Sequence, residues 1–137
     1  MRFVCDASDG RSWFQIETEA EAALESNLMQ HAVEKHFRQA REHAKTTYVP
    51  PSGSYIKLTA HIQRVMPVFL TLRDQDGNGL ATAMLPPVGQ DVRSVRPVIV
   101  GVENSDPFSQ HGEAIRVLGE HVGRILDQIW CYPYRRA

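Results

Sequence analysis

The chain has few cysteines, almost no net charge and no long apolar run. Its 137 residues include 15 Lys and Arg and 16 Asp and Glu, which gives a formal net charge of -1. Such a balance predicts no strong long-range attraction to nucleic acid or to an acidic membrane surface. No apolar stretch approaches the ~18 residues that suggest a membrane span. We therefore expect no membrane insertion, and we disfavour nucleic-acid binding.

The two cysteines, Cys5 and Cys131, lie near opposite ends of the chain. The N-terminal segment reaches Asp6 too soon to hold the apolar part of a secretion signal. A cytoplasmic location is therefore predicted. Because thiols stay reduced in that compartment, we expect no structural disulfide.

Motifs for metal binding and nucleophilic catalysis are also missing from the sequence. There is no His-x-x-x-His, His-x-x-Glu-His, Cys-x-x-Cys or Gly-x-Ser-x-Gly pattern. Residues 74–79 match the first half of a calcium loop, but Leu85 stands where a bidentate Glu is required. Their Asp-Gly and Asn-Gly pairs are equally typical of a hairpin tip. We predict no cofactor and no metal site.

Turn residues between β-type runs are the clearest feature that the sequence does have. Val68–Leu85 holds two such runs around the turn at residues 74–79. Gly, Asn and Asp tolerate the positive φ angles of tight turns, so this pattern predicts a hairpin. Residues 2–6 and 12–17 form a second candidate hairpin, and the valine-rich residues 95–102 predict a fifth strand.

Helical patterns occupy the remaining long segments. Thr18-Glu-Ala-Glu21 has the spacing of a capping box, which predicts a helix from about residue 19. Its apolar pattern continues to about Lys45. Residues 56–66 fit a strand as well as a short helix, and we favour the helix.

A last helix is predicted from a cap at Asp106 or Ser109 to about Trp130. Gly119 and Gly123 stand four residues apart at the edge of its apolar stripe. Glycine costs a helix interior about 1 kcal/mol relative to alanine. We therefore expect another segment to approach the helix backbone closely at these positions.

These elements predict a single α+β domain over residues 1–137. It consists of a mainly antiparallel five-stranded sheet in the order ββα(α)βββα, with the long first helix and the last helix on one face. This element order is similar to that of the profilin-like or longin-like group, which includes sensory and trafficking adaptor domains. The resemblance covers element order and includes no shared motif.

The first helix has an apolar band broader than one contact with a sheet requires. The band contains Leu24, Leu28, Met29, Ala32, Val33, Phe37, Ala40 and Ala44. This breadth predicts that the helix packs against a second surface besides the sheet. In a one-domain chain, a second copy of the protein can supply that surface. The first hypothesis is a non-catalytic cytoplasmic interaction or sensor-like module that forms homodimers through this helix and binds a protein or small ligand.

Three histidines support a second hypothesis. His36 and His43 lie near the middle of the same band, and His111 projects toward the apolar side of the last helix. Seven residues separate the first two by about 10 Å along a helix, too far for one zinc ion to bind both. They could instead line a pocket between helices and sheet in a small metabolite-binding protein or enzyme. The alternative is that they are packed core or interface histidines.

Overall fold

The computed structural model describes residues 1–48, 57–87, 96–128 and 131. The elements are β1 (Arg2–Asp6), β2 (Ser12–Ile16), α1 (Glu19–Met29), α2 (Val33–Thr46), α3 (Leu58–Val65), β3 (Val68–Arg73), β4 (Gly79–Leu85), β5 (Val98–Val100) and α4 (Phe108–Val122), with a short 3-10 turn at Val102–Asn104. The predicted α+β class and the order ββα(α)βββα are confirmed.

The five strands form one antiparallel sheet whose spatial order equals the chain order, β1-β2-β3-β4-β5. The predicted hairpin is present, with Val68 opposite Leu85 in the β3–β4 register. Asp74 closes its turn by accepting hydrogen bonds from the backbone N–H groups of Asp76 and Asn78, at 3.0 and 2.9 Å. The Asp74 carboxylate therefore stabilises the turn of this hairpin.

The sheet is covered by helices on both faces. One core joins it to α4 and contains Trp13, Leu70, Leu72, Ala81, Ala83, Leu85, Ile99, Ala114, Ile115, Leu118, Leu126 and Cys131. The other joins it to α1, α2 and α3 and contains Ile16, Ala22, Val33, Phe37, Ala44, Met66 and Phe69. Side chains alternate between faces along a strand, so consecutive Phe69 and Leu70 enter different cores. The prediction that the first and last helices share one face is therefore wrong, and the apolar residues on both faces of β3 are the reason.

The single helix predicted from residue 19 to about 45 is two helices. α1 begins with the predicted capping box, in which the Thr18 hydroxyl accepts from the Glu21 N–H and the Glu21 carboxylate accepts from the Thr18 N–H, both at 3.1 Å. It ends because Gln30 adopts a left-handed conformation with φ 55°. The chain reverses there, and α2 returns over the same face of the sheet.

The ambiguous segment 56–66 contains a helix at Leu58–Val65, as favoured. The fifth strand is confirmed but shorter than predicted, since it covers Val98–Val100 and Val95 lies outside the described residues.

The last helix ends at Val122, well before Trp130, which lies outside the described residues. Gly123 takes a left-handed conformation with φ 71° and stops the helix. The chain then turns back, so that a Cβ atom on Gly119 would lie 2.6 Å from the carbonyl oxygen of Arg124. The close approach predicted at Gly119 is confirmed and comes from the chain's own returning segment. The one predicted at Gly123 is wrong, because a Cβ atom there would meet nothing within 4 Å.

Candidate functional site

The structure does not bring the three predicted site histidines together. His36 and His43 are exposed on α2. His111 lies in the first turn of α4, on the opposite face of the sheet. A single pocket lined by all three is therefore not formed, and a ligand role for any one of them stays a prediction.

His111 is held by Arg11, from the turn between β1 and β2. Arg11 Nη1 lies 3.0 Å from His111 Nδ1. Because a guanidinium group only donates, Nδ1 must accept and the imidazole must be neutral. Burial, followed by the charge of Arg11, lowers the pKa of His111. This contact attaches the first hairpin to the start of α4.

Among the described residues, one carboxylate, that of Glu25 in α1, is completely buried. Its Oε1 accepts from Arg73 Nη2 at 2.6 Å, and its Oε2 accepts from the Thr82 hydroxyl at 2.5 Å. Arg73 also donates to Thr71 Oγ1 at 3.0 Å and to the Gly77 carbonyl at 3.3 Å. A buried charge is costly unless it is paired and hydrogen-bonded. Both conditions are met here by residues of β3 and β4.

His31, in the turn between α1 and α2, extends this network. Its Nε2 lies 2.8 Å from Thr82 Oγ1, and its Nδ1 lies 3.4 Å from the backbone nitrogen of Val33. The single hydroxyl proton of Thr82 points to the Glu25 carboxylate, so we assign Nε2–H of His31 as the donor to Thr82. Nδ1 then accepts from the Val33 N–H, and the imidazole is neutral.

The order of groups in this network differs from that of a catalytic triad. In a triad the histidine stands between the nucleophile and the acid, and the nucleophile faces the substrate. Here the Thr82 hydroxyl stands between His31 and Glu25, and Thr82 is only 4% exposed. The network is therefore suited to joining α1, α2, β3 and β4.

A separate feature of α1 is an apolar surface. Ala22 and Met29 are fully buried against the domain, whereas Leu24 and Leu28 are 69% and 45% exposed. Residues four apart share one face of a helix. Val102, in the 3-10 turn that lies beside α1, is 42% exposed. Leu24, Leu28 and Val102 are called the α1 patch below.

Comparisons with protein-family models, curated proteins and solved structures find no match for this chain. Within the described ranges, no group of three or more His, Cys, Asp or Glu side chains is placed to hold a metal ion. None of the helices in this part of the chain is long and apolar enough to cross a membrane.

Sequence reasoning did not identify Glu25 or His31. A signal for Glu25 exists, because Ala22, Glu25 and Met29 follow the i, i+3, i+7 spacing of a core-facing stripe. A carboxylate at such a position requires a buried partner. His31 carries no comparable signal, since its contacts depend on the break between α1 and α2.

Proposed function

We propose that this protein is a non-catalytic cytoplasmic interaction module that forms homodimers through the α1 patch. The observation that carries the proposal is the exposure of Leu24 and Leu28 on a helix whose other side is buried in the domain. Burying one leucine side chain contributes about 1.5–3 kcal/mol. Two adjacent leucines on each of two copies can therefore supply the centre of a dimer contact.

The charge pattern of α1 supports a second copy as the partner. Beyond its first turn, the exposed residues of α1 are Leu24, Asn27 and Leu28, which are all uncharged. In a two-fold dimer the same surface of each protomer meets itself, so a charged surface would place like charges together. An uncharged stripe avoids that repulsion. Depletion of charge is also typical of interface centres.

The exposed side of α2 has the opposite character. It carries Lys35, Arg38, Glu42 and Lys45, a pattern typical of a solvated helix face. The broad band predicted for a single first helix therefore divides into two parts. The proposed contact therefore excludes α2.

The thiols favour the cytoplasmic part of the proposal. Cys5 and Cys131 are both free, and Cys131 is buried. Unpaired cysteines are usual in a reducing compartment and are less common in secreted domains of this size.

Native mass spectrometry across a concentration series, with multi-angle light scattering in solution, tests the dimer. We expect the wild type to be dimeric at micromolar concentration and Leu24→Glu to be monomeric. Ile125→Glu is the matched control, because Ile125 is 71% exposed and follows α4 on the other face of the sheet. Circular dichroism verifies that both variants remain folded.

A monomeric wild type, or a Leu24→Glu variant that keeps the dimer mass, would refute the proposed contact. The same spectra examine the second hypothesis of a small-molecule ligand. A reproducible adduct that is lost in His36→Ala, His43→Ala or His111→Ala would favour a metabolite-binding protein or enzyme. A dimer without added mass agrees with the interaction module.

A further inference from the structure

His31 is the one side chain of the α1–α2 turn that connects both helices to the sheet through the network described above. It donates to Thr82 of β4, which in turn donates to Glu25 of α1. Its other nitrogen accepts from the Val33 N–H, the first amide group of α2. The imidazole of His31 thus shares in holding the α2 N-terminus with the Ser26 hydroxyl oxygen, which accepts from the Glu34 N–H at 2.8 Å.

A second proton on His31 changes this contact directly. Nδ1 would become a donor facing the Val33 N–H, which is also a donor, and the contact would be lost. The positive charge would stand at the N-terminus of α2, where the helix dipole is already positive. Its contact with Thr82 would survive, because Nε2–H donates in both states. Protonation therefore acts selectively on α2.

The charged groups around His31 shift its pKa in opposite directions. From α1, Glu25 favours the protonated form, although Arg73 of β3 already pairs with this carboxylate. From α2, His36 disfavours it. Glu34 of α2 is engaged by Arg38 at 3.8 Å. Burial is the largest influence and lowers the pKa of His31. It outweighs a hydrogen bond with the backbone of His31 itself, which raises the pKa, so the pKa lies below its ordinary value of 6.5.

We propose that His31 is a pH-sensitive latch that holds the N-terminus of α2 to β4 while its imidazole is neutral and releases it on protonation. The latch is independent of the dimer contact, because it uses none of the residues of the α1 patch. It makes the α1–α2 junction a part of the domain that responds to acid.

Nuclear magnetic resonance of the full ¹⁵N-labelled chain, titrated from about pH 8 to about pH 5, tests the latch. At the alkaline end, the imidazole nitrogens of His31 should report the Nε2–H form. On acidification, the His31 ring and the Val33 amide should change together with one midpoint below 6.5. His31→Gln should abolish the change at Val33. His43→Gln, the same substitution at an exposed histidine of α2, should leave the change at Val33 in place.

Three results would overturn the latch: an Nδ1–H form at alkaline pH, a midpoint at or above 6.5, or a transition at Val33 that persists in His31→Gln. If His31→Gln does not fold, the wild-type tautomer and the shared midpoint still decide the matter. Separate midpoints for the ring and the amide would refute the coupling.

Discussion

Arg73→Met removes the cation beside Glu25 and keeps much of the side-chain volume. The Glu25 carboxylate would remain at 0% exposure, with the Thr82 hydroxyl as its remaining donor among the described residues. Removing one partner of a buried ion pair costs about 3–5 kcal/mol. We expect about 3 kcal/mol, near the lower end of that range, because the Arg73 side chain keeps 14% exposure to water. This is a large part of the ~5–15 kcal/mol that keeps a domain folded.

Urea unfolding at neutral pH, followed by tryptophan fluorescence, measures the effect. With a slope of about 1.5 kcal/mol per molar urea, a loss of about 3 kcal/mol lowers the midpoint by about 2 M. The double variant Glu25→Gln/Arg73→Met should recover most of this loss. It removes the unpaired charge, and the glutamine can still accept from the Thr82 hydroxyl.

Arg116→Met is the matched control for this experiment. Arg116 contacts Glu113 and Glu120 on the exposed side of α4, and exposed ion pairs contribute little to folding. Its midpoint should move far less than that of Arg73→Met. Equal shifts in the two single variants, or a double variant as unstable as Arg73→Met, would show that charge burial at Glu25 is not the cause.

Three further predictions concern two glycines, one thiol and two histidines. Gly119→Ala should destabilise the protein, because its methyl group would lie 2.6 Å from a carbonyl oxygen. Gly112→Ala, with open space around it, should stabilise the helix by about 0.5–1 kcal/mol, and thermal unfolding of both variants checks these opposite signs. Burial raises the pKa of the Cys131 thiol to about 12, so Ellman's reagent should modify Cys131 at neutral pH in urea and hardly at all in the native protein; equal rates would contradict this. Burial is the largest cause that lowers the pKa of both His31 and His111 from 6.5. Their contribution to folding is therefore complete above that pH and is lost as the pH falls through the lowered values, so the urea midpoint should fall less steeply with acid when both are replaced by Gln.

The parts of the fold that the sequence predicts correctly rest on local chemistry. The hairpin at residues 74–79 needs residues that tolerate tight turns, and the start of α1 needs the reciprocal bonds of Thr18 and Glu21. Both signals lie within a few residues of the structure they produce. They could therefore be read without knowledge of the rest of the chain.

The break after α1 has no clear signal in the sequence. Gln30 takes a left-handed conformation, and the apolar residues on both sides of it continue the helical period. Because the sequence pattern predicts one continuous helix, it also predicts that His36 and His43 lie in the apolar band. In the separate helix α2, Phe37 and Ala44 are buried while the preceding histidines are exposed. The candidate site was missed for the same reason, since His31 lies in the break itself.

The order of the strands has a consequence for how the chain assembles during synthesis. The β1–β2, β3–β4 and β4–β5 pairs join strands separated by about a dozen residues or fewer, whereas β2 and β3 are separated by residues 17–67. Closing that long loop is the slow, entropically costly pairing. The N-terminal hairpin and α1 leave the ribosome before Arg73 has been made. The Glu25 carboxylate therefore cannot meet Arg73 and Thr82 until β3 and β4 have been synthesised, so its burial cannot precede these two strands.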